Sequence, residues 1–135
     1  MKTEFSQLPH QADIEFLTQK INTETDAYGT AYPFGFFTRD DENNIIAGVN
    51  GYVIYGVIYT DQLWVDSAYR KQGLACALME KVHQFGLSEG CKKASVSTMS
   101  FQKARSFYEK LGYQVDFERD GYVNHSRCFF MSKNL

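Results

Sequence analysis

The sequence has little of what marks secreted, metal-binding or membrane proteins. Its three cysteines, Cys76, Cys91 and Cys128, form an odd, scattered set without a CxxC pair or a Cys/His metal spacing. The first ten residues lack the apolar run of a signal peptide, and no stretch approaches the roughly 18 apolar residues of a membrane span. We therefore expect reduced thiols, no metal, no membrane partner and a cytoplasmic location.

The chain also has a small net charge and few prolines. The formal net charge is −2, so no basic excess attracts nucleic acid, and we expect no nucleic-acid partner. Only 2 prolines occur, which argues against long disordered linkers. A chain of 135 residues suits one apolar core, so residues 1–135 are predicted to form a single domain.

Aromatic residues, by contrast, make up 16% of the chain and favour strands. Hydrophobic periodicity and turn residues predict a mixed α/β fold with an antiparallel meander first and a β-α-β unit in the middle. The predicted elements are, in order, a strand at 3–8, a helix through Ile14, Leu17 and Ile21, strands at 34–39, 45–54 and 57–65, a helix at about 73–88, a strand at 93–98, a helix at 102–111 and strands at 113–118 and 126–132.

The segment from Arg70 to Ala75 joins a strand to the start of a helix. A helix N-terminus has unpaired N–H groups and a partial positive charge, which suit a phosphate group. Gly73 lets a ligand approach the backbone closely, and Arg70 and Lys71 add donors and charge. A helix cap with a solvated Arg–Lys pair explains these residues equally well, so local chemistry leaves both interpretations open.

A longer pattern carries a family resemblance. The motif Arg-x-x-Gly-x-Ala at 70–75, behind the strand end Leu63-Trp64-Val65, resembles the acyl-CoA signature of the GNAT superfamily of N-acetyltransferases. The segment 101–113, with Ala104, Tyr108 and Gly112-Tyr113, is similar to the family's tyrosine-bearing helix. The resemblance covers nearly the whole chain. It is strongest to a poorly characterised bacterial branch with Ser-Phe-Gln and His-x-Arg, here at 100–102 and 125–127.

The resemblance implies a GNAT-like, mostly antiparallel sheet of about six or seven strands, flanked by about four helices, with a splayed parallel pair in the middle. It also implies acetyl-CoA as cosubstrate and direct attack by an amine in a ternary complex. Backbone groups of Leu63 and Val65 would pair with the pantetheine arm. The pyrophosphate would lie on backbone N–H groups at the start of the helix. The implied cofactor-binding residues of this loop are Arg70, Lys71, Gln72, Gly73, Leu74, Ala75 and Cys76.

Two residues are candidates for the chemistry. Tyr108 matches the tyrosine whose hydroxyl lies near the CoA sulfur, so the resemblance implies a general acid; a core aromatic is the alternative. Strict alternation would place Tyr59, Asp61, Leu63 and Val65 on one face of their strand, where Asp61 could act as the base. An exposed charge, with water as the base, explains Asp61 equally well. Ser97 departs from the family, since relatives often carry a carboxylate at about that point.

The acceptor is less well defined. We expect a primary amine, either on a small molecule or as an exposed amino group of a larger one. A catalytically silent acyl-CoA-binding or sensing module is the alternative, and an unrelated anion-binding α/β protein is a third. Gln102 could replace the family's CoA-contacting Asn, and His125 and Arg127 could contact substrate or lie in a solvated turn. His83 is predicted to be a surface residue, and both a monomer and a homodimer stay open.

Overall fold

The computed structural model describes residues 1–135 and has three helices and six strands. The helices are α1 (Gln11–Glu24), α2 (Leu74–Ser88) and α3 (Arg105–Lys110). The strands are β1 (Tyr32–Arg39), β2 (Ile45–Ile54), β3 (Val57–Val65), β4 (Lys93–Met99), β5 (Gln114–Arg119) and β6 (Cys128–Asn134). They form one sheet in the order β1-β2-β3-β4-β6-β5, in which only β3 and β4 are parallel. This confirms the predicted mixed fold with a parallel pair in the middle.

Tight turns with specific residues connect the meander. The carboxylate of Asp40 accepts from the backbone N–H groups of Glu42 and Asn44, which closes the β1–β2 turn. Tyr55 and Gly56 both adopt positive φ, 48° and 83°, so β2 and β3 are joined by a two-residue loop whose twist matches that of the strands.

The two faces of the sheet differ in what covers them. On one, here called the core face, α2 and α3 pack over apolar side chains such as Ile58, Val96 and Met131. Gly86 allows the close approach of α2, because a Cβ there would lie 2.7 Å from the Ile58 side chain. The opposite face is here called the open face. It carries α1 at its β1–β2 end, and α1 has no buried residue.

The middle of the sheet opens where β3 leaves β4. Parallel pairing runs from Val57 opposite Lys93 to Thr60 opposite Val96 and stops there. At the same point β3 has a bulge, because Asn50 and Gly51 of β2 pair with Gln62 and Thr60 and leave Asp61 as the extra residue. A bulge bends its strand and increases the twist, which turns residues 61–65 away from β4.

Some predictions are wrong in detail. Residues 1–6 have no regular structure, so the predicted strand at 3–8 is absent. None of the six strands pairs with this segment, and the outer edge of β1 has no strand partner. The helix predicted at 102–111 is divided into a 3₁₀ turn at Ser100–Gln102 and α3, because Lys103 adopts a left-handed backbone. None of the helices is both long enough and apolar enough to cross a membrane.

Candidate active site

A cavity of about 510 Å³ lies where β3 ends, between the start of α2 and the start of α3. Most of the cofactor-binding residues predicted from the sequence line it: Leu63, Val65, Arg70, Lys71, Gly73, Leu74, Ala75 and Cys76, together with Tyr108. Gln72 and Asp61 do not line the cavity. The structure therefore brings the loop and the tyrosine helix together, although 33 positions separate Ala75 from Tyr108.

The loop before α2 presents its backbone N–H groups to this cavity. Lys71 and Gly73 both have positive φ, 60° and 82°, and Gly73 is the N-cap of α2. The first cap hydrogen bond runs from Ala77 N–H to Gly73 C=O, and no turn or cap hydrogen bond uses the N–H groups of residues 71–76. Successive free N–H groups at a helix start form a concave anion site. A Cβ on Gly73 would meet no atom within 4 Å, so the cradle is open.

All the charged side chains that line the cavity are positive. Arg70, Lys71 and Lys103 line it, and no carboxylate does. Sequence reasoning missed Lys103, because its residue type gives no signal. Only its left-handed backbone, φ 56° just before α3, turns it toward the loop. Trp64 and Tyr69 were also missed and add aromatic surface to the wall. An apolar wall with three cations suits a phosphate ester that carries a long organic arm.

The end of β3 has backbone groups that no strand uses. Asp66 N–H donates to Ile46 O of β2, so alternation turns the N–H and C=O groups of Val65 and Leu63 toward the gap beside β4. The carbonyl of Val65 already accepts from Arg70 Nε at 3.0 Å. This bond also holds the Arg70 side chain at the mouth of the cavity. At the start of the gap, the buried Thr60 Oγ1 has no hydrogen-bond partner.

Tyr108 lines the cavity from the core side. Its side chain is buried, and burial, with a smaller effect of nearby Tyr59, raises the pKa of the Tyr108 phenol to about 12. Tyr113 packs against its ring edge at 5.6 Å between centroids, and the Tyr113 hydroxyl lies 2.8 Å from His83 Nε2. His83 is therefore half-buried, and the prediction of a surface histidine is wrong. Burial lowers the pKa of His83 to about 4, so the ring is neutral at pH 7.

The predicted sharing of one face by Tyr59, Asp61, Leu63 and Val65 is wrong. The bulge at Asp61 reverses the alternation, so Leu63 and Val65 pack against the core, as Ile58 does. Tyr59 lies on the open face instead, where it meets Tyr52. Asp61 is exposed and makes no hydrogen bond to another side chain. A carboxylate so placed contacts water, which favours the water-mediated interpretation over a buried base.

Other candidates have partners of their own. Gln102 lines the cavity, but its Oε1 accepts from Met99 N–H at 2.8 Å, so it caps the 3₁₀ turn that follows β4. Arg127 forms an ion pair with Glu118 at 3.1 Å. His125 lies in a 3₁₀ turn with a left-handed backbone. The Ser97 hydroxyl lies 3.0 Å from the Tyr59 hydroxyl, across the gap between β4 and β3.

Comparison of the amino-acid sequence with known proteins identifies a family and several relatives. The model of the acetyltransferase (GNAT) family matches residues 3–113. The blasticidin-S acetyltransferase of Streptomyces morookaense is 32% identical over 83 residues, which is 61% of this chain and 60% of that protein. The match spans 54% of the length of an acetyltransferase from Agrobacterium fabrum and about 40% of that of the thialysine N-epsilon-acetyltransferases of Bos taurus and Mus musculus.

Solved structures share the fold. An acetyltransferase from Bacillus cereus superimposes with a TM-score of 0.75 over 98% of both chains, at 22% identity. An aminoglycoside 6′-N-acetyltransferase complexed with coenzyme A superimposes with a TM-score of 0.66, at 17% identity, over 93% of this chain and 81% of that one. At these identities the likeness concerns the fold alone.

Proposed function

The chain belongs to the GNAT family of acetyltransferases, and we propose that it transfers an acetyl group from acetyl-CoA to a primary amine. Residues 1–135 form the proposed N-acetyltransferase domain, because one sheet and one core join all the strands. The observation that carries the proposal is the cavity at the end of β3, where free backbone N–H groups, three cations and an unpaired strand edge meet. A cytoplasmic location stays a prediction.

The residues present fit acetyl-CoA by their chemistry. The N–H groups from Lys71 to Cys76 and the side chains of Arg70, Lys71 and Lys103 would hold the pyrophosphate. The free N–H groups at Leu63 and Val65 would pair with the amide-bearing arm like an added strand. When bound, acetyl-CoA supplies an acyl thioester, which an amine attacks directly. The Cys76 thiol has no required role in that transfer.

The protein has two tasks in this reaction. A lysine-like amine has a pKa of about 10.4, so making it neutral at pH 7 costs about 4.6 kcal/mol. We assign proton removal to solvent water beside Asp61, whose exposed carboxylate also attracts the ammonium form. The second task is to stabilise the departing thiolate, and we assign it to the Tyr108 hydroxyl, which lines the cavity.

Binding and turnover are tested separately. Acetyl-CoA at 100 times its Kd should stabilise the protein by about 2.7 kcal/mol in a thermal-shift titration. Thiol release over a library of primary amines then measures transfer. Stabilisation without acetylation of any amine would leave only an acyl-CoA-binding module. A shift with other phosphates and none with acetyl-CoA would refute both.

We predict that Gly73→Ala weakens acetyl-CoA binding about tenfold, because the added methyl group projects into the open cradle and the positive φ is strained. The same strain should lower the free energy of unfolding by about 1 kcal/mol. Gly90→Ala is the matched control: Gly90 has φ 80° and no atom within 4 Å, and it lies beyond the other end of α2. Calorimetric Kd values of the two variants should differ, and equal values would contradict the cradle.

Asp61→Asn should lower kcat/KM for an alkyl amine about fivefold at pH 7, the size of one exposed charge interaction. The loss should disappear near pH 11, above the amine pKa of about 10.4, where the amine is largely neutral. Asp41→Asn, in the exposed β1–β2 turn, serves as the control. A pH-independent loss of 100-fold or more would instead make Asp61 a direct base, and no loss would remove it from the reaction.

A further inference from the structure

A row of aromatic side chains crosses the open face of the sheet at the gap between β3 and β4. Tyr52 and Tyr59 face each other on β2 and β3, with ring centroids 4.9 Å apart. On the other side of the gap, Phe130 is opposite Ser97 of β4, and Phe117 stacks on it at 4.4 Å with an interplanar angle of 8°. Tyr52, Tyr59, Phe130 and Phe117 are here called the aromatic strip.

The strip is continuous across the gap. The Tyr59 hydroxyl meets Ser97 Oγ at 3.0 Å, so the hydroxyl pair links the two halves. It also lies close to the cavity, since Tyr59 is near enough to Tyr108 to contribute to the raised pKa of that phenol. The pair therefore lies close to where the thioester would be. No helix covers the centre of the strip, because α1 borders only its Tyr52 end.

The two ends of the strip carry opposite charge. Asp61 lies near the Tyr52 end, where it and Tyr59 add to the effect of burial in raising the pKa of Tyr52. At the other end the guanidinium of Arg119 stands 4.9 Å from the Phe130 ring centre and 5.9 Å from that of Phe117. Cation–π stacking holds Arg119 in place and leaves its N–H donors free.

Arg119 differs in this from the two neighbouring arginines. Arg105 and Arg127 both form ion pairs with Glu118, which belongs to the core face. Arg119 forms no ion pair and no side-chain hydrogen bond, and it is on the open face, because it is opposite Cys128 and two residues from Phe117. A planar guanidinium with a free edge, fixed on an aromatic surface, binds carboxylates in two-point fashion.

We propose that the acceptor is a small zwitterionic amine whose apolar body lies on the aromatic strip and whose carboxylate pairs with Arg119. This rests on the proposed acetyl transfer and names the substrate class of that site. The reacting amine lies at the Tyr59–Ser97 hydroxyl pair, on the side of Asp61. The guanidinium is about 10 Å further along, since one strand spacing of ~4.8 Å separates Ser97 from Phe130 and Arg119 stands beyond that ring. A compact aryl or alkyl spacer covers this span.

The test compares acceptors that differ only in charge. 4-(Aminomethyl)benzoate and 4-(aminomethyl)benzamide have the same shape, and we expect kcat/KM about tenfold higher for the carboxylate, the size of one charge-assisted pair. Arg119→Gln should bring the ratio close to one, and Arg119→Glu should favour the amide. Arg127→Gln is the matched control and should keep the wild-type ratio, because Arg127 already pairs with Glu118 on the other face.

A binding measurement keeps the proposal testable without turnover. Calorimetry with protein saturated by CoA should give a Kd for 4-(aminomethyl)benzoate about tenfold lower in the wild type than in Arg119→Gln. Three results would overturn this inference. They are a wild-type ratio of kcat/KM for benzoate over benzamide near one, the same ratio in Arg119→Gln as in the wild type, and no binding of the benzoate. Acetylation of other amines would in that case still uphold the proposed function. Failure to bind acetyl-CoA would refute the proposed function itself.

Discussion

Tyr108→Phe is expected to lower kcat by about 100-fold or more, within the range that one positioned hydrogen-bond donor to a developing anion contributes. The variant loses one oxygen atom and keeps the ring, so the packing with Phe107 and Tyr113 is preserved. The hydroxyl makes no hydrogen bond to another side chain, and removing it leaves no partner unsatisfied. The Kd of acetyl-CoA should therefore change by less than about twofold, and stopped-flow turnover with calorimetry measures both.

Tyr113→Phe is the matched control for that variant. Tyr113 is as deeply buried as Tyr108, but it does not line the cavity and its hydroxyl contacts His83. Removing the hydroxyl should lower the free energy of unfolding by about 1 kcal/mol, the value of one buried hydrogen bond, and leave kcat within a few-fold. Equal losses of kcat in the two variants would assign Tyr108 a packing role only.

The raised pKa of Tyr108 makes the proposed role specific. With a pKa of about 12 the phenol stays protonated through pH 10, so no loss of rate from its ionisation is expected below that pH. A thiol has a pKa of about 8.5, so the departing thiolate is a weaker base than the tyrosinate. Tyr108 thus stabilises the thiolate by donating a hydrogen bond. The amine releases one proton when the amide forms, and this equals the proton that the thiolate takes up to become the free thiol.

Much of the fold could be predicted from the sequence, because the turn residues and the apolar periodicity indicate the same elements that pair and pack in the structure. Tyr55-Gly56 and the Asp40 turn divide the meander, and Leu74, Leu78 and Val82 fall on the buried stripe of α2. The strand predicted at 3–8 failed for a different reason. A strand needs a partner, and periodicity alone does not say whether a sheet edge will accept one.

The candidate site was predicted in part. The cradle residues Arg70 to Cys76 are contiguous, so one motif located them. Lys103 and Arg119 acquire their positions from a left-handed backbone and from stacking on Phe130, neither of which leaves a mark in the sequence. The bulge was missed because Asp61 continues an apparently regular strand. A local signal was Gly51 inside β2, since a glycine within a strand often marks a bulge, but Gly48 on the same strand gives the same signal and marks none.

Gly51→Ala should lower the free energy of unfolding by about 3 kcal/mol or more, the upper range for overpacking. A Cβ there would overlap the carbonyl oxygen of Tyr59, and backbone atoms cannot rotate away as a side chain can. Gly48→Ala is the control on the same strand. Its Cβ would crowd the exposed Phe37 ring, at 2.8 Å, which can move, and would meet the carbonyl oxygen of Phe36 at an ordinary contact distance of 3.6 Å, so the loss should stay below about 1 kcal/mol. Chemical denaturation measures both variants.

A second variant tests whether the clash belongs to the bulge. Deleting Asp61 leaves Gln62 opposite Asn50 and Thr60 opposite Gly51, so the β2–β3 ladder becomes regular and no side chain changes face. If the bulge forces the contact between Gly51 and Tyr59, this deletion should restore part of the stability of Gly51→Ala. The straightened β3 would then lie closer to β4, and acetyl-CoA binding should be lost although the protein is folded. Restored stability with unchanged binding would show that the gap does not depend on the bulge.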